Sequence, residues 1–188
     1  MRTPPVRTRR WTRAEYERLV EKGFFRSDER LELLDGEVIV REPQGSVHAA
    51  TLMHLHAVLT RAFGGGYHVR PQLPIALDAA SEPEPDLAVV PGSAKDYRDS
   101  HPSKPVLVVE VAETSLALDR RRKARLYARA GIPEYWILNL RDRVLEVYRE
   151  PEPGRQGGKY RSVRLFKSSA VSPLRAPKAR IRVVDLLL

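Results

Sequence analysis

Glu82-Pro83-Glu84-Pro85-Asp86-Leu87-Ala88-Val89-Val90 decides the fold, and it is answered further along by Val106-Leu107-Val108-Val109-Glu110-Val111. Both apolar runs are short and unbroken, which predicts strands buried on both faces over 87–90 and 106–111. Asp86 opens the first run and Glu110 stands near the end of the second, with the loop 91–104 between them. Burying a lone carboxylate among valines is costly unless it is paired or bound to a metal. Two such groups at the ends of neighbouring strands can converge. With no histidine or cysteine beside them, they suit Mg2+ or Mn2+. The plain alternative is that Asp86 caps a turn and Glu110 pairs with an arginine.

Working outward, Thr12-Arg13-Ala14-Glu15 reads as a capping box that opens a short helix ending at Gly23. Residues 30–34 and 37–41, joined by Asp35-Gly36, read as a β-hairpin, because Asp-Gly supplies the positive φ angles of a two-residue turn. Ser46 is placed to cap a helix running to Phe63, with Leu52, Leu55, Leu59 and Ala62 as its apolar stripe and Gly64-Gly65-Gly66 as its stop. Residues 69–77 look extended, and Pro71 and Pro74 suggest an edge or a bulge. After the strand at 106–111 comes a helix over 116–130, ended by Gly131. Strands follow at 135–140 and 144–148, then a polar loop at 151–158 and strands at 160–166 and 181–184. This order is that of an α/β or α+β protein, a sheet with helices packed against it.

The helix over 116–130 carries a sharper signal. At 100° per residue, Leu116, Lys123, Leu126, Tyr127 and Ala130 share one face, while Arg121, Arg122, Arg125 and Arg129 fall on the other. A lysine pointing inward needs a negative partner or a task. Asp119, four residues earlier, is the local candidate partner. Glu32 is the one acid in the apolar strand Leu31-Glu32-Leu33-Leu34, and alternation puts it with Leu34, facing either inward or out to solvent. His48 lies on the stripe with Leu52 and Leu55, where a core or capping role competes with one in a site. Gln72 precedes Asp86 in an extended segment and faces either the site or solvent. His54 and His56 are not spaced as a metal pair, and Gly64-Gly65-Gly66 lacks the following lysine of a phosphate loop.

The chain has 188 residues and a formal charge of +9. That length fits a single domain over 1–188, with enough core to need no covalent staple. The absence of cysteine excludes a disulfide scaffold, an iron–sulfur cluster, a thiolate zinc site and a cysteine nucleophile. Residues 1–13 hold five arginines and no acid, and residues 155–188 hold nine basic residues against Asp185. Positive charge therefore gathers in an N-terminal arm and in the C-terminal strands, around a slightly acidic centre. Such a distribution suits a cation site that also grips a phosphate backbone, although a solvated basic surface has the same composition. No apolar run approaches a membrane span and residues 1–13 have no apolar signal core, so a cytoplasmic protein with no membrane partner is expected.

Taken together, Pro85-Asp86, Glu110 and Lys123 resemble the PD-(D/E)xK nuclease superfamily. In that pattern the lysine stands two residues after the second acid, a position held here by Ala112. The runs 32–38, 84–90 and 108–111, the pair Asp119 and Lys123, and the run 131–137 look like a large bacterial family of restriction-endonuclease-like proteins in which the lysine has moved to the following helix. This resemblance covers about residues 11–188. It implies a restriction-endonuclease-like α/β fold, with a central mixed sheet flanked by helices and an N-terminal β-hairpin. It also implies Asp86 and Glu110 as ligands of Mg2+ or Mn2+, with the Val111 carbonyl as a further ligand and Glu32 as the first acid that completes such sites. Lys123 becomes the catalytic lysine, with His48 and Gln72 in supporting places. The implied activity is hydrolysis of phosphodiester bonds in DNA. Cutting both strands of a duplex with one site per chain would favour a homo-oligomer. The displaced lysine also motivates an alternative, a nuclease-like scaffold that binds nucleic acid or a protein without cutting.

Overall fold

The structure is a computed structural model that describes residues 8–154 and 157–188. The basic arm expected at 1–13 falls largely outside the described residues, as do Arg155 and Gln156 of the C-terminal basic segment.

The chain folds as α1 (Arg13–Glu21), a hairpin of β1 (Leu31–Leu34) and β2 (Glu37–Val40), α2 (Ser46–Phe63), β3 (Tyr67–Pro71), β4 (Leu87–Pro91) and β5 (Leu107–Ala112). A helical segment follows in three pieces: α3 (Leu116–Leu118), a π turn (Asp119–Lys123) and α4 (Ala124–Arg129). Then come β6 (Glu134–Asn139), β7 (Val144–Glu152), β8 (Lys159–Phe166), β9 (Ala170–Val171) and β10 (Ile181–Arg182). Six strands form the central sheet in the order β3-β4-β5-β6-β7-β8. β5 and β6 run parallel and the other neighbours antiparallel. The sheet is therefore mixed, and the helical segment 116–129 is the crossover that the parallel pair requires.

Alternation along the strands feeds two cores. Leu87, Val89, Leu107, Val109 and Val111 pack with Leu52, Leu55, Leu59 and Phe63 of α2. On the other face, Ala88, Val108, Ala112 and Ile137 pack with Ala124, Tyr127 and Ala128 of α4, and with Tyr135, Tyr148 and Tyr160. Glu110 shares the period of Val108 and Ala112, so it faces the helix that carries Lys123.

The hairpin forms where Asp35 and Gly36 take positive φ angles of 49° and 76°. A Cβ at Gly36 would come within 2.7 Å of the Arg10 Cβ, so both space and backbone conformation require glycine there. Main-chain hydrogen bonds between Leu33 and Glu82 tie the hairpin to the segment leading into β4. Its turn is also clamped to the helical segment, with Arg122 on Glu37, and Arg129 on Asp35 and Asp78. Arg122 and Arg129, from the arginine face opposite Lys123, are thus struts that hold the hairpin.

Some expectations need correction. Gly45, not Ser46, occupies the N-cap of α2, and no side chain caps it. The strand expected over 181–184 is two residues long and gives way to a 3-10 turn at Val183–Asp185. β7 extends to Glu152 and takes the first two residues of the expected loop at 151–158. The helix over 116–130 is interrupted: the Ala124 N–H reaches back to the Asp119 carbonyl, five residues away, which makes the central turn π rather than α.

Behind the hairpin, Glu82 is 5% exposed, and among the described residues its Oε2 has no hydrogen-bond partner. Burial and the neighbouring Glu17 push its carboxyl up to about 8, against Arg13 3.8 Å away. A folded-state pKa raised above its usual value makes stability greatest below that value and lets it fall as pH rises toward 8. Glu82→Gln is expected to melt higher than the parent at pH 8 and level with it at pH 4. The Arg13 guanidinium 3.8 Å away offsets part of the cost of the charge, which keeps the gain at about 1 kcal/mol, or about 2–4 °C in Tm. Thermal melts across that pH range check it, and an equal or lower Tm for Glu82→Gln at pH 8 would contradict it.

Candidate active site

Asp86 immediately precedes β4, and Glu110 lies near the end of β5. Because these strands are antiparallel, with Leu87 opposite Val109, the start of one meets the end of the other. Asp86 and Glu110 are each 2% exposed and touch: the Asp86 N–H lies 3.4 Å from Glu110 Oε2. β4 begins at Leu87, so beyond it the Val111 N–H has no strand partner on that side and donates to Asp86 Oδ2 at 2.8 Å. A residue's N–H and C=O leave a strand on the same side, so the Val111 carbonyl faces the same gap.

Lys123 is 2% exposed and points inward. Its ammonium sits 3.0 Å from Glu110 Oε1 and 3.3 Å from Glu32 Oε2, so the lysine joins a residue of the sheet to one of the hairpin. Glu32 is 1% exposed and also accepts the Glu84 N–H at 3.2 Å, which settles its orientation as inward. Asp119, the local candidate partner, is buried and accepts instead from the Ser115 hydroxyl at 2.6 Å. Tyr127, one turn beyond the lysine, donates to Glu110 Oε1 at 2.8 Å.

Asp86 gathers further donors. His48 Nε2 lies 3.2 Å from its Oδ2, while Gln44 and Gln72 donate to Oδ1 at 3.3 and 3.4 Å. Gln72 is held there by its own N–H on the Asp86 carbonyl and by a φ of 48°, a strained conformation for a residue with a side chain. Arg41 donates to Asp86 Oδ1 at 3.0 Å and to the Glu84 carbonyl at 2.7 Å. Sequence reading missed Arg41, Gln44 and the role of Tyr127. Tyr127 had a signal, since it lies four residues after Lys123 on the same face. Arg41 had none, because it reaches the site from the far end of the hairpin.

The electrostatics follow from this packing. Burial opposes the charge on Asp86, but His48, Arg41 and the Val111 N–H outweigh it and hold the carboxyl well below its usual range. Burial pushes Glu110 the other way, up to about 8; Lys123 pulls it down, while Asp119 and Asp86 push it further up. Burial alone would lower Lys123, yet Glu110 and Glu32 raise it above its usual value, so it stays an ammonium. Burial and Glu110 raise the Tyr127 hydroxyl well above 10, so it remains a donor.

Asp86, Glu110, Lys123, Glu32, Arg41 and His48 line a cavity of about 440 Å3 between the hairpin, α2 and the helical segment, and Tyr127 and Gln72 support them from outside its lining. A divalent cation fits the donor set. Asp86 and Glu110 line the same cavity, with the Asp86 N–H on the Glu110 carboxylate, the Val111 carbonyl faces the same gap, and Glu110 is a buried acid destabilised by its acidic neighbours, which a cation would relieve. Among the described residues, no three His, Asp or Glu side chains form a ready cage. Two carboxylates and a carbonyl match Mg2+, which keeps several of its waters, better than Zn2+, which takes a closed set of N and S ligands.

Comparison with known proteins agrees with the geometry. A solved structure described as a putative nuclease belonging to DUF820, from Anabaena variabilis, superposes with a TM-score of 0.72 over 97% of both chains at 16% identity, which establishes a shared fold. No curated protein matches the chain. Among the described residues, no helix is long and apolar enough to cross a membrane. The model of the Uma2 family, described as putative restriction endonuclease, matches residues 13–179, nearly the whole chain. The two acids at the β4–β5 junction and the lysine brought to them by the crossover helix thus lie within the matched region, and the chain belongs to the Uma2 family of restriction-endonuclease-like proteins.

Proposed function

We propose that this protein is a metal-dependent nuclease that hydrolyses phosphodiester bonds in DNA. One observation carries the reading: the buried Lys123 ammonium stands 3.0 Å from the Glu110 carboxylate, which accepts the Asp86 N–H, and all three residues line one cavity. Ala112 holds the position where the wider PD-(D/E)xK pattern puts a lysine, and the ammonium arrives from the next helix instead. This weighs against the reading of an inert scaffold, which rested on the displaced lysine.

Asp86, Glu110 and the Val111 carbonyl would hold Mg2+ or Mn2+. When bound, such an ion polarises a phosphate and makes a water molecule more acidic. The chain's own residues do the rest. Lys123 stays protonated, so it serves as a donor to the attacking water or to the charge that develops on the phosphate, not as a base. Tyr127 and Glu32 fix the positions of Glu110 and Lys123. His48, Gln44, Gln72 and Arg41 fix Asp86, leaving it little rotational freedom.

The test is incubation of plasmid and oligonucleotide DNA with Mg2+ or Mn2+, with a chelator control and with Glu110→Ala. Cutting by the parent chain, abolished by chelator and reduced at least about a hundredfold in Glu110→Ala, is expected. Equal cutting by Glu110→Ala and the parent, or none by the parent with either metal, would overturn the reading.

A further inference from the structure

We propose that the site acts on an unpaired strand, a single-stranded or locally melted segment, rather than on intact duplex. The inference rests on the nuclease reading and deepens it. Two observations carry it. The first is depth. Asp86, Glu110 and Lys123 are each 2% exposed, at the floor of the 440 Å3 cavity. For a phosphate to meet the Lys123 ammonium, its nucleotide must enter that cavity. A strand held in a duplex is tied to its partner by pairing and stacking, so entry requires the nucleotide to leave the stack. An unpaired strand has already met that cost.

The second is the chemistry of the mouth. Ile39, Val40, Pro43 and Leu118 give the cavity apolar walls, and Val40 is 62% exposed at the rim. Glu42 and Glu113, both exposed, line the same cavity, and neither forms an ion pair among the described residues. The basic lining residues Arg41 and Lys123 are committed to the acids of the floor. The arginine-rich cavity of about 280 Å3, lined by Arg121, Arg122, Arg125 and Arg129, includes none of these residues. An acidic rim repels a duplex, with its doubled line of phosphates, more strongly than a single strand. Apolar walls offer contact to bases only when those bases are unstacked.

The experiment presents one labelled sequence in three forms: a free single strand, a perfect duplex, and that duplex with a central run of mismatches, each with Mn2+. The single strand and the mismatched duplex are expected to be cut at least about tenfold faster than the perfect duplex, with cuts in the second falling in the mismatched run. The double variant Glu42→Gln with Glu113→Gln, checked for folding by circular dichroism, is expected to narrow that preference by raising duplex cutting. A perfect duplex cut as fast as the single strand overturns this inference and leaves the nuclease reading standing. An unchanged preference in the double variant overturns the role assigned to the rim. Absence of cutting on all three forms overturns the nuclease reading, and this inference with it.

Discussion

Lys123→Met is expected to abolish DNA cutting and to cost about 3–5 kcal/mol of stability, the usual penalty for removing one partner of a buried ion pair. The size follows from what the substitution leaves behind. Glu110 and Glu32 both lie against the ammonium and are 2% and 1% exposed, so Met leaves two buried acids facing one hole. Tyr127 still donates to Glu110 and the Glu84 N–H to Glu32, which limits the loss but does not restore neutrality. The check combines urea denaturation with a second variant, Lys123→Met together with Glu110→Gln and Glu32→Gln. That triple variant replaces both stranded acids with neutral amides and should recover most of the lost stability while remaining inactive. Lys123→Met as stable as the parent would show that the lysine does not neutralise these acids. Recovery of cutting in the triple variant would show that it has no part in the chemistry.

Such a prediction could be framed because much of the site is written locally in the chain. Glu110 has apolar residues on both sides and Asp86 opens an unbroken apolar run, a pattern with few solutions besides a buried strand end. Lys123 stood out because its helical face is otherwise Leu, Tyr and Ala. The Thr12–Glu15 capping box and the Asp35-Gly36 turn depend on neighbouring residues alone, and both form as read. What could not be read depends on distant contacts. Arg41 follows an ordinary hairpin strand, and its partnership with Asp86 depends on the Leu33–Glu82 hydrogen bonds that hold the hairpin against the entry to β4. The π turn at Asp119–Lys123 leaves no mark in a pattern counted at 100° per residue, since Asp119 and Lys123 share a face in either geometry. Ser46 and Gly45 are both acceptable at an N-cap, so composition does not choose between them. Val183 and Val184 are apolar enough for a strand, and the Val183 N–H still bonds to the Ser169 carbonyl beside β9, but Val183 and Leu186 pack into the core and the chain turns over Val183–Asp185.

The other large effect expected is that of Asp86→Asn, a substitution that keeps the shape of the side chain and changes only what it can accept. The carboxylate receives Arg41, Gln44 and Gln72 on Oδ1, and the Val111 N–H with His48 on Oδ2. An asparagine has one oxygen to offer, and its NH2 group must face one of these two sets of donors. If the NH2 turns to the Val111 side, that N–H loses its acceptor, which costs about 1–3 kcal/mol at a buried position. If it turns the other way, the Arg41 guanidinium loses its carboxylate while remaining charged and only 12% exposed. His48 can relieve the first arrangement by presenting an unprotonated Nε2, but it cannot relieve the second. Asparagine is therefore expected to place its amide toward His48, leaving the Val111 N–H to reorganise. Stability should fall by about 1–3 kcal/mol, less than in Lys123→Met, because no buried acid is stranded. Activity should fall further than stability implies, by roughly a thousandfold, or about 4 kcal/mol of barrier. Mn2+ calorimetry on the same variant should lose the binding heat of the parent. Full cutting by a folded Asp86→Asn chain would remove Asp86 from the chemistry and leave it as a structural clasp between β4, β5 and the hairpin.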